Sequence, residues 1–269
     1  MEVNGAMINE ELAITDEWEF YPTRIGNLSY TVRFDMGLER LGFSELMKYP
    51  HTLELSISAM IVDTHGFPVL SELTRINAIE DDFHLGMWDF KLIGAITGGG
   101  GIRFIFCLSQ EALQSVDLIV KSLMGSALHN AKYDFNLYQD DNFEFYANFL
   151  SPCVFERNWI KNRQQHIRME ENGEKFEFPR DVDFFCTFFN EKIIRVTANK
   201  LIELGFTEIS VRRINQRGYQ LHLIKNGIPN HDWITENTNE IIEVLLEVDA
   251  FFDGWTSTIY GGTSDESKY

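Results

Sequence analysis

The alternation of two apolar periods across the last third of the chain most constrains how it folds. Residues 183–189 form an apolar, aromatic-rich run of strand length. From 191 to 204 the apolar residues Ile193, Ile194, Ala198, Leu201 and Leu204 recur at helical spacing, and Gly205 is placed to end the helix. Residues 206–213 and 219–224 alternate apolar and polar about Gln216-Arg217-Gly218, the signature of a hairpin. A second helix is predicted over 232–246, with Ile234, Ile241, Ile242, Leu245 and Leu246 on one side. Residues 248–256 then read as a final strand entering a tight Asp253-Gly254 corner. The order strand, helix, strand, strand, helix, strand predicts a ferredoxin-like α/β sandwich. That architecture hosts many unrelated activities, so it says little about function by itself.

The first half repeats the order behind an extra hairpin. Residues 17–37 read as two alternating strands that turn at Ile25-Gly26-Asn27, and a short helical piece follows at 38–48. A strand is predicted over 53–62, broken by Gly66-Phe67-Pro68. Ser71 caps a helix through Phe83 with Leu73, Ile76, Ile79 and Phe83 on one face. Strands at 90–97 and 102–108 flank four consecutive glycines, Gly98 to Gly101. A helix at 110–123 and a strand at 133–138 complete the set. The chain therefore reads as an α+β protein of two tandem ferredoxin-like units, with a polar, partly helical connector at 153–175 and a small, polar, disordered tail at 261–269.

Charge limits the partners. The 269 residues carry a formal net charge of −18. Residues 1–150 hold 22 Asp and Glu against 9 Lys and Arg, and residues 151–269 hold 19 against 14. Such a chain is repelled by nucleic acid and by anionic membranes, so direct binding to either is not expected. No apolar run approaches a membrane span, and the first residues lack the pattern of a signal peptide. The three cysteines, Cys107, Cys153 and Cys186, are widely spaced and read as reduced thiols in a cytoplasmic protein.

No catalytic constellation emerges, and no cofactor or metal is expected. The glycine run leads into a strand rather than a helix N-terminus, which favours a hairpin loop over a phosphate cradle. Glu80, Asp81, Asp82 and His84 gather at the end of one predicted helix without the further ligands a metal requires. The seven histidines show no zinc spacing, and no cysteine carries a marker of an activated thiolate. Arg212, Arg213 and Arg217 form a modest basic cluster beside Phe184, Phe185, Phe188 and Phe189. The glycine and basic spacing of RNA-reading sheets is missing there, so those rings read as core.

Segment 181–260, and above all Phe251-Phe252-Asp253-Gly254-Trp255-Thr256, resembles the RraB family, the protein regulators of ribonuclease E. The segments Trp18-Glu19-Phe20-Tyr21, 63–68, Gly94-Ala95-Ile96-Thr97 and 141–152 resemble the domain of unknown function 695, which is found fused in front of RraB-like segments. The resemblance implies a DUF695-like domain at 10–152 and an RraB-like domain at 176–260. It further implies a non-enzymatic, protein-binding regulator whose partner is ribonuclease E or its scaffold region. Asp253, Gly254 and Trp255 are the candidate partner-binding residues: Asp-Gly supplies a turn, and a large aromatic beside a carboxylate near a sheet edge suits a binding hot spot. A small-molecule-binding module or an enzyme with an inter-domain pocket is the alternative, and an RNA-binding domain is a third reading that the acidic composition opposes.

Overall fold

The computed structural model describes residues 17–41, 43–85, 90–127, 132–215 and 218–260. The chain divides into two compact units at Pro152/Cys153, each a mixed α+β structure built on one antiparallel sheet.

In the first unit, β1 (Trp18–Ile25) and β2 (Leu28–Asp35) form the hairpin expected around Gly26. Helix α1 (Phe43–Leu46) follows, then β3 (His51–Ser58), α2 (Leu70–Leu85), β4 (Phe90–Gly98), β5 (Gly101–Leu108), α3 (Val116–Ala127) and β6 (Tyr133–Gln139). The six strands are ordered β1-β2-β4-β5-β3-β6. The glycine run turns β4 into β5, with Gly98, Gly99 and Gly100 all at positive φ, as a tight hairpin requires. The strand expected over 53–62 ends at Ser58. Asp63 instead accepts from the backbone N–H groups of His65 and Phe67, while the Met60 N–H donates to Glu72; the chain leaves the sheet to make those bonds.

The two faces of this sheet pack against different things. Leu53, Leu55, Phe104 and Phe106 point into a core with Ile76 of α2 and Val120 of α3. Each fully buried side chain of that size stabilises the fold by about 1.5–3 kcal/mol. The opposite face takes a π-helical turn, Tyr146–Leu150. Tyr146 donates to the Asp35 carbonyl at 2.8 Å, and Tyr21 donates to the Leu150 carbonyl at 3.1 Å. A Cβ at position 94 would stand 2.7 Å from the Leu150 methyls, so only glycine admits this approach. Side chains of Ile79, Asp82, Phe83, His84 and Leu123, and all of residues 1–16, 216–217 and 261–269, lie outside the described set.

The second unit contains α4 (Val154–Glu171), β7 (Arg180–Phe188), α5 (Glu191–Glu203), β8 (Thr207–Arg213), β9 (Tyr219–Gly227), α6 (His231–Leu246) and β10 (Ala250–Ser257). Its strands are ordered β10-β7-β9-β8, all antiparallel. Alternation along β7 sends Val182, Phe184, Cys186 and Phe188 into a core with Ile194, Ala198 and Leu201 of α5 and Ile234, Ile241 and Leu245 of α6. Phe185 lies on the other face, and Phe189 is exposed, so two of the four phenylalanines read as core are outside it.

The segment 153–175, expected as a connector, carries α4, and α4 packs along α6 of this same unit. Its buried residues mix Asn158, Asn162 and His166 with Ile160 and Met169. Asn158 and Asn162 both donate to Thr238 Oγ1, at 2.7 and 2.9 Å, and all three are buried. A helix whose buried residues are mostly polar reads in sequence as a solvated spacer.

Candidate protein-binding site

Strand β10 is an edge of the second sheet, and it holds Asp253, Gly254 and Trp255. The tight corner expected there is absent. The strand continues through Asp253-Gly254, and its pairing with β7 skips one residue between Phe252 and Gly254. Asp253 is the extra residue of a β-bulge, and Gly254 adopts φ +143°, which a side chain would strain. The Asp-Gly pair thus bends an edge strand instead of ending one.

The bulge separates the two side chains that sequence reasoning joins. Asp253 Oδ2 accepts from Thr187 Oγ1 at 2.8 Å and from Gln220 Nε2 at 3.3 Å, on the sheet face away from α5 and α6. Trp255 pairs with Phe184 across the ladder, packs against the core and donates its indole N–H to Asn162 Oδ1 at 3.0 Å. Acid and aromatic therefore occupy opposite faces.

Between α4 and β10 runs an open groove of about 530 Å³. Its β10 wall is residues 250–255, its floor includes Ile242, Leu245 and Leu246 of α6, and its α4 wall presents Arg157 and Lys161 beside Asn158, Asn162 and Gln165. Residues 157 and 161 read in sequence only as part of a basic connector, and the groove itself is not visible there. Arg157 and Lys161, like Asn158 and Asn162, stand one helical turn apart, which places a cationic stripe beside an amide stripe. That spacing is the signal that locates the groove wall.

The face holding Asp253 is polar and internally paired. Asp183 bonds His222 Nε2 at 2.6 Å, Phe185 stacks on the His222 ring at 4.8 Å between centroids, and Arg212 donates twice to Gln220. Arg213 lies over the Tyr219 ring, and Arg217 is outside the described residues. The basic cluster of the sequence is thus partly spent on contacts within the sheet.

Elsewhere in the second unit, Glu174 and Arg180 form a buried ion pair at 2.7 Å. Burial works to raise the Glu174 carboxyl, but backbone N–H groups of Tyr260, Phe176 and Lys175, together with Arg180, outweigh it and hold the group below the usual carboxylate range. Next to it, His166 is buried and stacked on Phe176 at 3.6 Å between centroids. Burial first, and nearby His231 second, push it down to about 4, so it is neutral near pH 7.

In the first unit, Glu80 pairs with Arg33 of β2, so the acidic helix end is tied to the sheet at that residue. Glu54, nearly buried, accepts from Arg103 at 3.2 Å and from Tyr138 at 3.0 Å, beside a cavity of about 360 Å³ that also reaches Asn148 and Phe149. Among the described residues no group of three or more His, Cys, Asp or Glu could hold a metal ion, and no helix is long and apolar enough to cross a membrane.

An antiparallel sheet in each unit, with an edge-strand groove in the second, defines a two-unit α+β protein. Residues 16–151, just over half of the chain, match the Family of unknown function (DUF695), and the protein belongs to that family. Residues 159–257, from within α4 to the end of β10, match the family described as Regulator of ribonuclease activity B. The chain is thus a DUF695 domain fused to an RraB-like domain. No curated protein matches it. Among solved structures, one described as a "putative glycine cleavage system transcriptional repressor" shares 6% identity over 77% of this chain and 98% of its own, with a TM-score of 0.22. An unknown protein from Galdieria sulphuraria shares 11% identity over 76% of this chain and 96% of its own, with a TM-score of 0.20. At these values neither likeness bears on fold or function.

Proposed function

We propose that the protein is a non-enzymatic, cytoplasmic, protein-binding regulator of ribonuclease activity, with ribonuclease E or its scaffold region as the target. The single observation that carries this reading is the family match over 159–257. For the fold we infer two ferredoxin-like units: relabelled from its first strand, the second sheet has the order 4-1-3-2, in keeping with that topology. The last four strands of the first unit follow the same order, β6-β3-β5-β4, with the β1-β2 hairpin added at one edge. Charge supports a mechanism. A net −18 favours docking on a basic, flexible segment and repulsion of RNA from the complex, with Asp253, Gly254 and Trp255 at the binding surface.

Purified ribonuclease E supplies the test. The protein is expected to slow cleavage of a structured RNA and to bind the enzyme with an affinity that falls steeply as salt rises. Unchanged cleavage together with no measurable binding sinks the reading; binding insensitive to salt sinks the electrostatic mechanism. The alternative, a small-molecule-binding module, draws its support from the cavity beside Glu54, Arg103 and Tyr138, which is of ligand size.

A further inference from the structure

We propose that β6 is a dimer interface, pairing antiparallel with β6 of a second copy of the chain about a two-fold axis at Asn136. Among the described residues the two sheets end in four edge strands, and three of these are blunted against pairing. Strand β1 carries Pro22, which has no N–H to give, and the ladders of β8 and β10 are each broken by a bulge. Strand β6 has neither proline nor lysine and pairs with β3 without a break from Tyr133 to Gln139 at its outer end. Every residue of it but the half-buried Phe135 is exposed.

Hydrogen bonds fix which groups this free edge offers. At one end of β6 the Lys132 carbonyl accepts from the Ser58 N–H at 2.9 Å, and at the other the Asp140 N–H donates to the Pro50 carbonyl at 2.7 Å. Even-numbered residues therefore bond towards β3, while Tyr133, Phe135, Leu137 and Gln139 turn their N–H and C=O groups outward. Phe135 shows this directly, because its N–H goes to Asp134 Oδ1 at 2.9 Å rather than to β3. An added antiparallel strand meets the outward groups only where odd residues stand opposite outward-facing ones.

A two-fold axis at Asn136 is the one symmetric register that achieves this over the whole strand. It sets Phe135 opposite the partner's Leu137, Tyr133 opposite the partner's Gln139, and Asp134 opposite the partner's Tyr138. Phe135 and Leu137 stand across the ladder from Leu55 and Leu53, so both lie on the core side of the sheet. Phe135 packs on that core while Leu137 is 45% exposed, and the pairing lays each exposed Leu137 beside a Phe135 at the margin of the core. No like charges meet, because Asp134 is the only charged residue of the strand. This internal match selects a second copy over an unrelated strand. The local bond from Phe135 to Asp134 is exchanged for one between chains.

Sedimentation velocity and cysteine cross-linking of the full chain test it. A dimer is expected, and with −18 on each copy it should tighten as salt screens the repulsion. L137P removes an outward N–H and leaves the β3 ladder alone, so it is expected to give a monomer with an unchanged circular dichroism spectrum. In a C153S background, N136C faces its own mate about 4.5 Å away across a non-hydrogen-bonded pair, within disulfide reach, whereas Q139C stands about 20 Å from its mate. Mild oxidation is expected to link N136C chains and to leave Q139C chains single. A monomer at every concentration and salt overturns the proposal. A dimer that persists in L137P, or that links through Q139C as readily as through N136C, has its contact elsewhere and equally overturns it. The cross-linking arm uses no proline, so it stands even where L137P fails to fold.

Discussion

The indole N–H of Trp255 reaches Asn162 Oδ1 at 3.0 Å, and the same asparagine donates to Thr238 on α6. One buried amide thereby ties the edge strand, α4 and α6 together, and it sets where the groove wall stands. Replacing Asn162 with alanine leaves the Trp255 donor and the Thr238 hydroxyl to find other partners. The expected cost is about 1–3 kcal/mol. Urea unfolding of N162A followed by tryptophan emission checks this; an unchanged midpoint would show that the amide bridge contributes nothing net.

Glu174 and Arg180 are a buried pair, and breaking one partner should cost far more than removing both. R180M is expected to lose about 3 kcal/mol or more through the stranded Glu174 carboxylate, with E174Q/R180M recovering part of it. A double-mutant cycle by chemical denaturation reads the coupling.

His166 gives the second unit a specific pH response. Its folded value, about 4, lies below the 6.5 of the unfolded chain, so between those values the unfolded state binds more protons. Stability is therefore full above about pH 6.5 and falls as the pH drops towards 4, by on the order of 2–3 kcal/mol. In H166F the stability curve should be flatter over that window. Parallel curves for the two proteins would remove His166 as the cause.

Two glycines with equal room are expected to respond oppositely to alanine. Nothing lies within 4 Å of a Cβ at Gly254 or at Gly125, but Gly254 has φ +143° while Gly125 sits inside helix α3. G254A should lower stability by about 1–3 kcal/mol through backbone strain, and G125A should raise it by up to about 1 kcal/mol. Thermal unfolding of the two variants distinguishes conformation from crowding.

The thiols are expected to differ in reactivity. Cys107 and Cys186 are buried, and burial pushes both thiols up, Cys107 to about 12. Cys153 is exposed at the start of α4. A thiol-specific reagent should modify Cys153 alone in the folded protein and all three cysteines after denaturation. Early loss of Cys107 or Cys186 would mean that its unit opens locally.

Element order was legible in both halves because strand and helix signals are local and strong there: residues 183–189 form an apolar run of strand length, and Ile194, Ala198 and Leu201 keep the helical spacing. The two family resemblances were legible for the same reason, since short aromatic motifs survive without tertiary context. The groove was not. It depends on Asn158 and Asn162, whose burial is decided by Thr238 some 80 residues away, and polar stripes carry no hydrophobic signal. Asp253-Gly254 was misjudged as a corner because the same dipeptide serves a turn and a bulge, and only the partner strand decides between them.

The strand order of the second unit also governs how it is made. Thr187 on β7 meets Asp253 on β10 across 66 residues, so one edge of the sheet is completed by a strand made long after its partner. Until that element emerges from the ribosome, β7 has one flank without a partner and its half of the core is incomplete. Closure of so long a loop is slow relative to local hairpins. Nascent chains paused before Ala250 consequently expose the open flank of β7 to proteolysis, and the rate of synthesis through Ala250–Ser257 tunes how long that flank persists.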